Sequence, residues 1–248
     1  MKKSRTRTVA IIPSAGCGKR MRSKVDKPFV RLNKKELIYY TLRALEGSSF
    51  IDDIIIVSTK NNIPRFKRLV IREGFSKVSY IVVGGDRRAE SVSNGLKFVN
   101  SGIDYILVHD AARPLLTKDI IKRTLDGAKR SGGAICAVLT KPTIKESYPN
   151  KSIIRRTLNR RVLWEAHTPQ VFKRDILLKA YARAGKRAGS FTDEASLVEA
   201  YGKKVALVEG SYSNIKVTTQ EDLVVAGALL GSSKIKNKKS KLKLKIKK

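Results

Sequence analysis

The sequence predicts an α/β fold of three layers, in which helices cover both faces of a mostly parallel β-sheet. Six short apolar segments, rich in Ile and Val, alternate along the chain with amphipathic stretches. Near-continuous apolar strands are typical of a parallel sheet that is buried on both faces. With 248 residues, of which 42% are hydrophobic and 30% charged, the chain is long enough for one large globular domain or two small ones.

The predicted elements follow one another without an internal repeat. The strands are the apolar segments at residues 8–13, 52–59, 79–85, 104–110, 133–140 and 203–210. The helices are the amphipathic segments at residues 63–75, 89–100, 117–133, 174–189, 192–202 and 218–231. Thr117 and Thr219 are predicted to be N-caps, and Gly231 ends the last helix. All of these elements belong to a single predicted domain, residues 1–231.

One segment, residues 141–172, departs from this alternation. It has a turn signal at Pro149-Asn150 between two stretches in which polar and apolar residues alternate, the pattern of a β-hairpin. So polar a hairpin has little core to bury, and we therefore predict a protruding arm that lies on another surface. That surface is either a second subunit, which would make the segment a dimerisation arm, or the arm's own subunit.

The net charge of the chain indicates which kind of partner it attracts. Its 53 basic and 21 acidic residues give a formal net charge of +32, which predicts attraction to polyanions. Residues 232–248 contain nine lysines and no acidic residue, and they are predicted to form a disordered tail with weak, nonspecific polyanion binding. The alternation of Lys with Leu and Ile leaves an amphipathic strand or a short membrane-surface segment as the alternative for this tail.

The cysteines and the hydropathy pattern predict a cytoplasmic protein. Cys17 and Cys136 form no C-x-x-C pair, and with only His109 and His167 the sequence offers no zinc ligand set. No segment has the composition of a signal peptide, and no apolar run approaches the length of a membrane span.

A glycine-rich loop follows the first strand, and two familiar phosphate-binding patterns do not fit it. A P-loop requires Gly and then Ser or Thr where this sequence has Pro13 and Arg20. A dinucleotide-binding fingerprint lacks its third glycine, since Met21 stands there, and remains a minor alternative. A glycine turn with solvated basic residues is the alternative without a ligand. Small residues nevertheless let backbone N–H groups approach an anion closely, and those predicted to do so are Ser14, Ala15, Gly16 and Gly18.

Other conspicuous residues follow the predicted strands at their carboxyl ends, which is where open parallel sheets bind ligands. They lie in the loops at residues 14–27, 84–91 and 109–114 and near the end of the last strand. The loops are predicted to form one cleft that holds several bases and the single carboxylates Asp86 and Asp110. Such a cleft suits a nucleoside triphosphate with a divalent ion, because nucleotidyl transfer depends on positioning and charge neutralisation.

Seven motifs run in order from Val9 to about Gly231: PSAGCGKRM with Lys27, GGDRRAESV, VHDAARP, PTIKE, NRRVLWEAHTPQVF, TDEAS and VEGSYSNIKVTTQEDL. They resemble the motifs of the 2-C-methyl-D-erythritol 4-phosphate cytidylyltransferase family, of the non-mevalonate isoprenoid pathway. The resemblance implies a Rossmann-like nucleotidyltransferase fold, with CTP as substrate and Mg²⁺ as the divalent metal. It also implies attack of an acceptor phosphate oxygen on the α-phosphorus of CTP, with release of pyrophosphate.

The resemblance assigns roles to the residues at matching positions. Arg20 and Lys27 would stabilise charge on the phosphates of CTP, and Arg160 and Lys216 would orient the acceptor phosphate. Asp110 would lie near Mg²⁺, most of whose contacts would come from the CTP phosphates. The implied nucleotide-binding and cleft residues are Ser14, Ala15, Gly16, Gly18, Gly84, Gly85, Asp86, Ser91, Asp110, Ala111, Arg113, Thr143 and Thr168.

The family pattern further implies a homodimer with exchanged arms, in which Arg160 and Thr168 reach the site of the neighbouring subunit. This sequence departs from the pattern at Asn159 and Arg161, where Asp and a smaller polar residue are common. The extra arginine leaves the acceptor open between methylerythritol 4-phosphate and another polyol phosphate, such as ribitol 5-phosphate. A basic nucleic-acid-binding protein is the alternative of another class, although no zinc-finger spacing or RNP motif occurs.

Overall fold

The computed structural model describes residues 5–16, Met21 and residues 25–231, so the predicted tail at 232–248 lies outside the described residues. The strands are β1 (Thr8–Pro13), β2 (Arg31–Leu32), β3 (Lys35–Glu36), β4 (Asp53–Ser58), β5 (Val78–Val83), β6 (Tyr105–Val108), β7 (Gly133–Leu139), β8 (Lys145–Ser147), β9 (Ile154–Thr157), β10 (Trp164–Lys173) and β11 (Ala206–Glu209). The helices are α1 (Leu37–Glu46), α2 (Ile63–Glu73), α3 (Arg88–Leu96), α4 (Lys118–Ser131), α5 (Arg174–Ala184), α6 (Glu194–Ala200) and α7 (residues 220–231).

Seven strands form the central sheet, in the order β11-β7-β10-β6-β1-β4-β5. Within it only β10 is antiparallel to its neighbours, which are β6 and β7. The predicted α/β fold with a mostly parallel sheet is therefore confirmed. The chain proceeds from β1 outward to β4 and β5, and it then returns to place β6 on the other side of β1. This change of direction opens a crevice at the carboxyl ends of β1 and β6.

Helices cover both faces of the sheet because its central strands are apolar on both sides. On one face, Ile12 and Ile56 lie in a buried cluster with residues of α1, α2 and α4. On the other face, Ile11 and Ile55 lie in a second buried cluster with residues of α3, α5 and α6. Successive strand residues point to opposite faces, so each Ile-rich strand contributes to both clusters. The result is the predicted three-layer arrangement.

Most predicted elements occur within a few residues of the expected bounds. The Thr117 hydroxyl accepts a hydrogen bond from Ile120 N–H at the start of α4, and the Thr219 hydroxyl accepts one from Asp222 N–H at the start of α7. Both predicted N-caps are thus confirmed. Helix α1 is not among the predicted elements, although its buried residues recur at helical spacing.

The predicted arm is shorter than residues 141–172. Its hairpin consists of β8 and β9, which pair antiparallel around a turn where Asn150 has φ of 58°. The prediction is wrong for the second half of the segment, because β10 belongs to the central sheet, where it pairs with β7 at residues 164–166 and 170–172 and with β6 at residues 170–173. Val171 and Phe172 are fully buried there, on opposite faces of the sheet. β10 is buried at residues 170–172, where strands pair with it on both sides, whereas Glu165 and Ala166, which pair with β7 alone, are exposed.

Helix α7 closes the fold against a third apolar cluster. Ala226 lies in it with Met21, Leu32 and Val217, and this cluster borders the strands β2 and β3. None of the helices in the described part of the chain is long and apolar enough to cross a membrane.

Candidate active site

A cavity of about 370 Å³ opens beside the carboxyl ends of β1, β5 and β6. Small-molecule sites occupy roughly 300–1,000 Å³, so the cavity is of the size expected for a ligand. Among the described residues, its lining consists of Pro13, Ser14, Ala15, Gly16, Lys27, Pro28, Gly85, Asp86, Arg87, Arg88, Ser91, Asp110, Ala111, Ala112, Lys216 and Thr218. The structure thus brings together ten of the residues predicted from the sequence. Gly18 and Arg20 lie outside the described residues.

The loop after β1 supplies the first wall of the cavity. Ser14 N–H donates a hydrogen bond to the Val57 carbonyl at 2.6 Å, which extends the pairing of β1 with β4 by one residue. The Ser14 hydroxyl donates to the Ile12 carbonyl at 3.3 Å, so both polar groups hold the turn in place. Lys27 reaches the cavity from a 3₁₀ turn whose other two residues, Pro28 and Phe29, are buried. Its ammonium group is therefore carried by a fixed backbone.

Two glycines allow the loop after β5 to pack closely on its surroundings. A Cβ atom on Gly84 would lie 2.7 Å from Ser91 Oγ and 2.8 Å from Ala15 Cβ. A Cβ atom on Gly85 would lie 2.5 Å from the Cβ of Glu90. Because carbon atoms cannot approach so closely, any larger residue would push this loop away from α3. Gly84 itself does not line the cavity and lies behind it, between Ala15 and Ser91.

Asp110 is the centre of the charge network in the cavity. It follows β6, and its side chain is only 10% exposed. Its Oδ1 lies 3.2 Å from Arg88 Nε, while its Oδ2 lies 2.9 Å from Lys216 Nζ and 3.6 Å from Arg113 Nε. Cations from three separate segments therefore meet on one carboxylate.

These cations control the protonation state of Asp110. Burial by itself would raise the pKa of the carboxyl group, but Arg88, Lys216 and Arg113 together hold this pKa well below its usual range. Asp110 is thus ionised at neutral pH and has no proton to donate. Its chemistry is that of a counter-ion that holds basic side chains in position at the cavity.

Arg88 connects Asp110 to a second buried carboxylate, and sequence reasoning missed both members of this pair. Arg88 Nη1 donates to Glu194 Oε1 at 2.8 Å and to Oε2 at 2.9 Å, and the Tyr181 hydroxyl donates to Oε1 at 3.1 Å. Burial raises the pKa of Glu194, and Arg88 opposes this effect. The motifs GGDRRAESV and TDEAS contain the two residues, but their pairing across 106 positions has no local signal.

A hydrogen-bonded chain behind Asp110 fixes its backbone. Asp110 N–H donates to the Thr168 hydroxyl at 3.0 Å, and this hydroxyl lies 3.0 Å from His109 Nδ1. The carbonyl of Arg113 lies 3.3 Å from His109 Nε2 and can only accept, so Nε2 carries the proton and Thr168 donates to Nδ1. Burial lowers the pKa of His109 to about 4, which keeps the ring neutral.

Thr168 and Arg113 belong to the frame of the site and do not line the cavity. The expectation that Thr168 reaches a neighbouring subunit is wrong, because its buried hydroxyl is bonded to His109 and Asp110 of its own chain. Arg113 is also buried and donates from Nη1 to the Asn214 carbonyl at 2.6 Å. Strand β10 carries Thr168 to this place because it lies in the central sheet beside β6.

The structure does not bring Arg160 and Thr143 to the cavity of their own chain. Both residues are exposed, and the Arg160 guanidinium donates to the Lys141 carbonyl at 2.7 Å. They lie at the two ends of the hairpin, whose strands run from residue 145 to 157.

The carboxylates of the described residues do not form a metal-binding cluster. No group of three or more His, Cys, Asp or Glu side chains comes together there in a way that could hold an ion. Asp110 offers a single ionised carboxylate in the cavity. Both oxygens of Asp110 already face cations, so a Mg²⁺ ion in this cavity would take most of its ligands from substrate phosphates, with Asp110 as a nearby carboxylate.

Comparisons with known proteins agree on one family. The family model of 2-C-methyl-D-erythritol 4-phosphate cytidylyltransferase matches residues 8–232. A relative of that name from Alkaliphilus oremlandii is 42% identical over 226 residues, which are 91% of this chain and 95% of the relative. Another from Clostridium botulinum is 41% identical over 220 residues, which are 89% of this chain and 96% of the relative.

Solved structures give the same result. The 4-diphosphocytidyl-2C-methyl-D-erythritol synthase from Anaerococcus prevotii superimposes with a TM-score of 0.78 at 28% identity, covering 91% of this chain and 99% of that chain. The 2-C-methyl-D-erythritol 4-phosphate cytidylyltransferase from Thermus thermophilus has a TM-score of 0.74 at 28% identity and covers 90% of this chain and 98% of that chain.

Proposed function

The chain belongs to the 2-C-methyl-D-erythritol 4-phosphate cytidylyltransferase family, and from this we infer that it catalyses the reaction of that family. It joins CTP and 2-C-methyl-D-erythritol 4-phosphate to give 4-diphosphocytidyl-2-C-methyl-D-erythritol and pyrophosphate, in isoprenoid precursor biosynthesis. One observation supports assigning the reaction to this cavity. The motif residues from five separate segments line a single cavity at the crevice between β1 and β6.

The proposed chemistry is a nucleotidyl transfer without a protein nucleophile. An oxygen of the acceptor phosphate attacks the α-phosphorus of CTP, the bond from that phosphorus to the bridging oxygen breaks, and its electron pair leaves with pyrophosphate. We assign Lys27, and Arg20 outside the described residues, to stabilising the negative charge that develops on the phosphates. The fixed backbone below Lys27 supports this role, since preorganised cations stabilise a transition state without having to reorganise.

The loops on either side of the cavity receive the two ends of CTP in this proposal. Ser14, Ala15 and Gly16 approach the triphosphate through their backbone, and the loop from Gly85 to Ser91 holds the cytosine and the ribose. Their shared position on the cavity lining supports this arrangement.

Lys216 is the residue of this chain that we assign to the acceptor phosphate. Its contact with Asp110 at 2.9 Å keeps the ammonium group at the cavity, and its side chain is 39% exposed and therefore accessible to an anion. Asp110 then acts as the counter-ion that holds Lys216 in reach of the phosphate. The acceptor phosphate then enters a site in which three cations, Arg88, Arg113 and Lys216, surround the carboxylate of Asp110.

We further propose a homodimer in which the β8–β9 arm reaches the site of the partner subunit. The exposed Arg160, which does not line the cavity of its own chain, would complete the acceptor site in trans. Exposed apolar residues on the arm, Ile153 and Ile154, support burial against another chain, since both are 60% exposed. Mixing Arg160→Ala with Lys27→Ala subunits tests this exchange, because each heterodimer then holds one intact composite site. Verified heterodimers without recovered activity would refute it.

Mg²⁺ is proposed as the metal of the reaction, held mainly by the phosphates of CTP with Asp110 nearby. When bound, the ion would neutralise charge on the phosphates and on the leaving pyrophosphate. We also propose a cytoplasmic location, in keeping with the two cysteines that form no pair in the sequence. The lysine tail, outside the described residues, is proposed to bind polyanions weakly.

Pyrophosphate release from CTP and Mg²⁺ tests the function. Methylerythritol 4-phosphate and ribitol 5-phosphate are offered separately at moderate salt, and we expect release with the first only. Release with ribitol 5-phosphate alone would keep the fold and the mechanism but change the acceptor. A folded enzyme that is silent with both acceptors would refute the proposed reaction.

A further inference from the structure

The loop of residues 84–87 joins β5 to α3, and it lines the cavity through Gly85, Asp86 and Arg87. In the proposed function, on which this inference rests, the loop receives the base of CTP. We propose that Glu90 is a positioning residue that makes the loop prefer cytosine to uracil. Its carboxylate occupies the backbone donors with which the loop would otherwise bind a carbonyl oxygen of the base.

The first two N–H groups of the loop are used by neighbouring elements. Gly84 N–H donates to the Ser58 carbonyl at 2.8 Å, which continues the pairing of β5 with β4 beyond its last residue. Gly85 N–H donates to the Ser91 hydroxyl at 3.2 Å. Neither donor is available to a ligand.

Glu90 occupies the remaining two N–H groups of the loop, those of Asp86 and Arg87. Its Oε2 accepts from Asp86 N–H at 3.0 Å and from Arg87 N–H at 3.3 Å. Glu90 is the third residue of α3, where a carboxylate also interacts favourably with the positive end of the helix dipole. The same side chain therefore holds the loop in one conformation and removes its last two donors.

The glycine at position 85 permits this contact. A Cβ atom there would lie 2.5 Å from Glu90 Cβ and 2.8 Å from its Oε2, so only a glycine leaves room for the carboxylate above the loop. Gly85 and Glu90 thus form a matched pair, and the small residue explains how the larger one reaches two N–H groups.

The loop consequently offers acceptors and no free backbone donors. At the cavity lining, the Asp86 carbonyl accepts no hydrogen bond from the part of the chain that the structure describes, whereas the Gly85 carbonyl accepts one from the Ser91 hydroxyl at 3.3 Å. At its 4-position cytosine carries an amino group, which donates, whereas uracil carries an oxygen, which accepts. The Asp86 carbonyl can pair with the amino group of cytosine, and the loop offers the oxygen of uracil no free backbone donor. A buried acceptor without a partner is costly, so this difference discriminates between the two bases.

Equilibrium binding of CTP and UTP, measured by calorimetry on the full-length enzyme without acceptor, tests the role of Glu90. In Glu90→Ala the N–H groups of Asp86 and Arg87 become free, and we expect the ratio of the UTP and CTP dissociation constants to fall roughly tenfold, the worth of about one hydrogen bond. Glu90→Gln keeps an acceptor oxygen on a side chain of the same length, and its ratio is expected to stay within about twofold of the parent.

Glu46 provides a matched control far from the cavity. It accepts hydrogen bonds from Ser76 N–H at 3.0 Å and Lys77 N–H at 3.1 Å, so it also fixes two adjacent backbone donors. These lie before β5, at the end of the strand opposite to the cavity. Glu46→Ala is expected to lower stability and to leave the ratio unchanged.

Each outcome decides the inference. An unchanged ratio of dissociation constants in folded Glu90→Ala would overturn the inference. An equal fall in Glu90→Gln would also overturn it, because a side chain that keeps an acceptor oxygen for the loop would then fail to preserve the preference for cytosine. If the alanine variant does not fold, Glu90→Asp repeats the test with a carboxylate one methylene shorter. If the parent enzyme binds CTP and the variants keep the parent's ratio of the UTP and CTP dissociation constants, only this inference is refuted. If the parent enzyme does not use CTP, the proposed function is refuted.

Discussion

The Asp110 cluster and the β8–β9 hairpin contain the same kind of interaction in opposite surroundings. Asp110, whose side chain is 10% exposed, faces Arg88, Arg113 and Lys216. On the hairpin, Glu146 pairs with Arg155 at 3.0 Å and with Arg156 at 2.6 Å, but the two arginines are 55% and 65% exposed. In each place one carboxylate gathers several cations, and only the degree of burial differs.

The difference shows which ion pairs matter to the protein. The hairpin pairs have good geometry, but water screens them. Their contribution to stability is therefore small. In the Asp110 cluster the side chains of Arg113 and Asp110 are only 8% and 10% exposed, so these two charges depend on their partners for compensation. A carboxylate that is costly to bury and that holds two cavity-lining cations is explained by function better than by stability.

The largest expected effect concerns the chemistry of the cavity. Lys27→Ala removes a cation that lines it, and we expect kcat to fall by about 10²–10³, the usual loss on removal of one preorganised charge-stabilising group. Lys122→Ala, which breaks an exposed pair with Asp126 on α4, is the control and should keep normal turnover. Near-normal turnover of Lys27→Ala would remove this residue from the proposed mechanism.

Asp110→Asn tests the buried cluster directly, because it removes the negative charge that the three cations face. We expect a loss of about 3 kcal/mol in the free energy of unfolding, at the lower end for a broken buried pair. The loss is moderated because Arg88 retains Glu194 and Lys216 is 39% exposed, which leaves Arg113 as the cation without compensation. Urea denaturation at pH 7 measures it. A loss of a few tenths of a kcal/mol would mean that the cluster is as well solvated as the hairpin.

The sequence was sufficient for the parts of this site that depend on strand ends. Because parallel strands end at one edge of the sheet, the loops after residues 13, 83 and 108 could be placed together from their apolar runs alone. The pairing of Arg88 with Glu194 could not be predicted, since it depends on how α3 and α6 pack. Strand β10 was also misplaced, because alternating polarity does not distinguish a strand inserted between two others from an exposed hairpin.

His109 tests the frame behind the cluster through its pH dependence. Its pKa is about 4 in the folded protein and about 6.5 in the unfolded chain, so between these values the unfolded state binds a proton that the folded state does not. The free energy of unfolding should therefore decrease as the pH falls from 6.5 towards 4, by up to about 1.4 kcal/mol per pH unit.

His109→Gln separates this contribution from those of other groups. The glutamine can donate to the Arg113 carbonyl and accept from Thr168, but it does not titrate. Other titrating residues contribute to both proteins and cancel in the difference, so the variant should show the shallower dependence between pH 6.5 and 4.5. Equal slopes would mean that His109 accepts a proton in the folded state at these pH values.

The smallest effect is expected on the exposed side of the comparison. Glu146→Gln removes the charge that Arg155 and Arg156 share, while keeping the shape of the side chain. Under dissociating conditions we expect no resolvable change in the urea midpoint at 0.15 M salt, because solvent already screens these pairs. In the proposed dimer, however, the arm lies against the partner, and Glu146 would lose part of its water. A destabilisation that appears only at protein concentrations where the dimer forms would therefore show that the hairpin pairs become buried there, whereas an equal loss at all concentrations would contradict the distinction between the two regions.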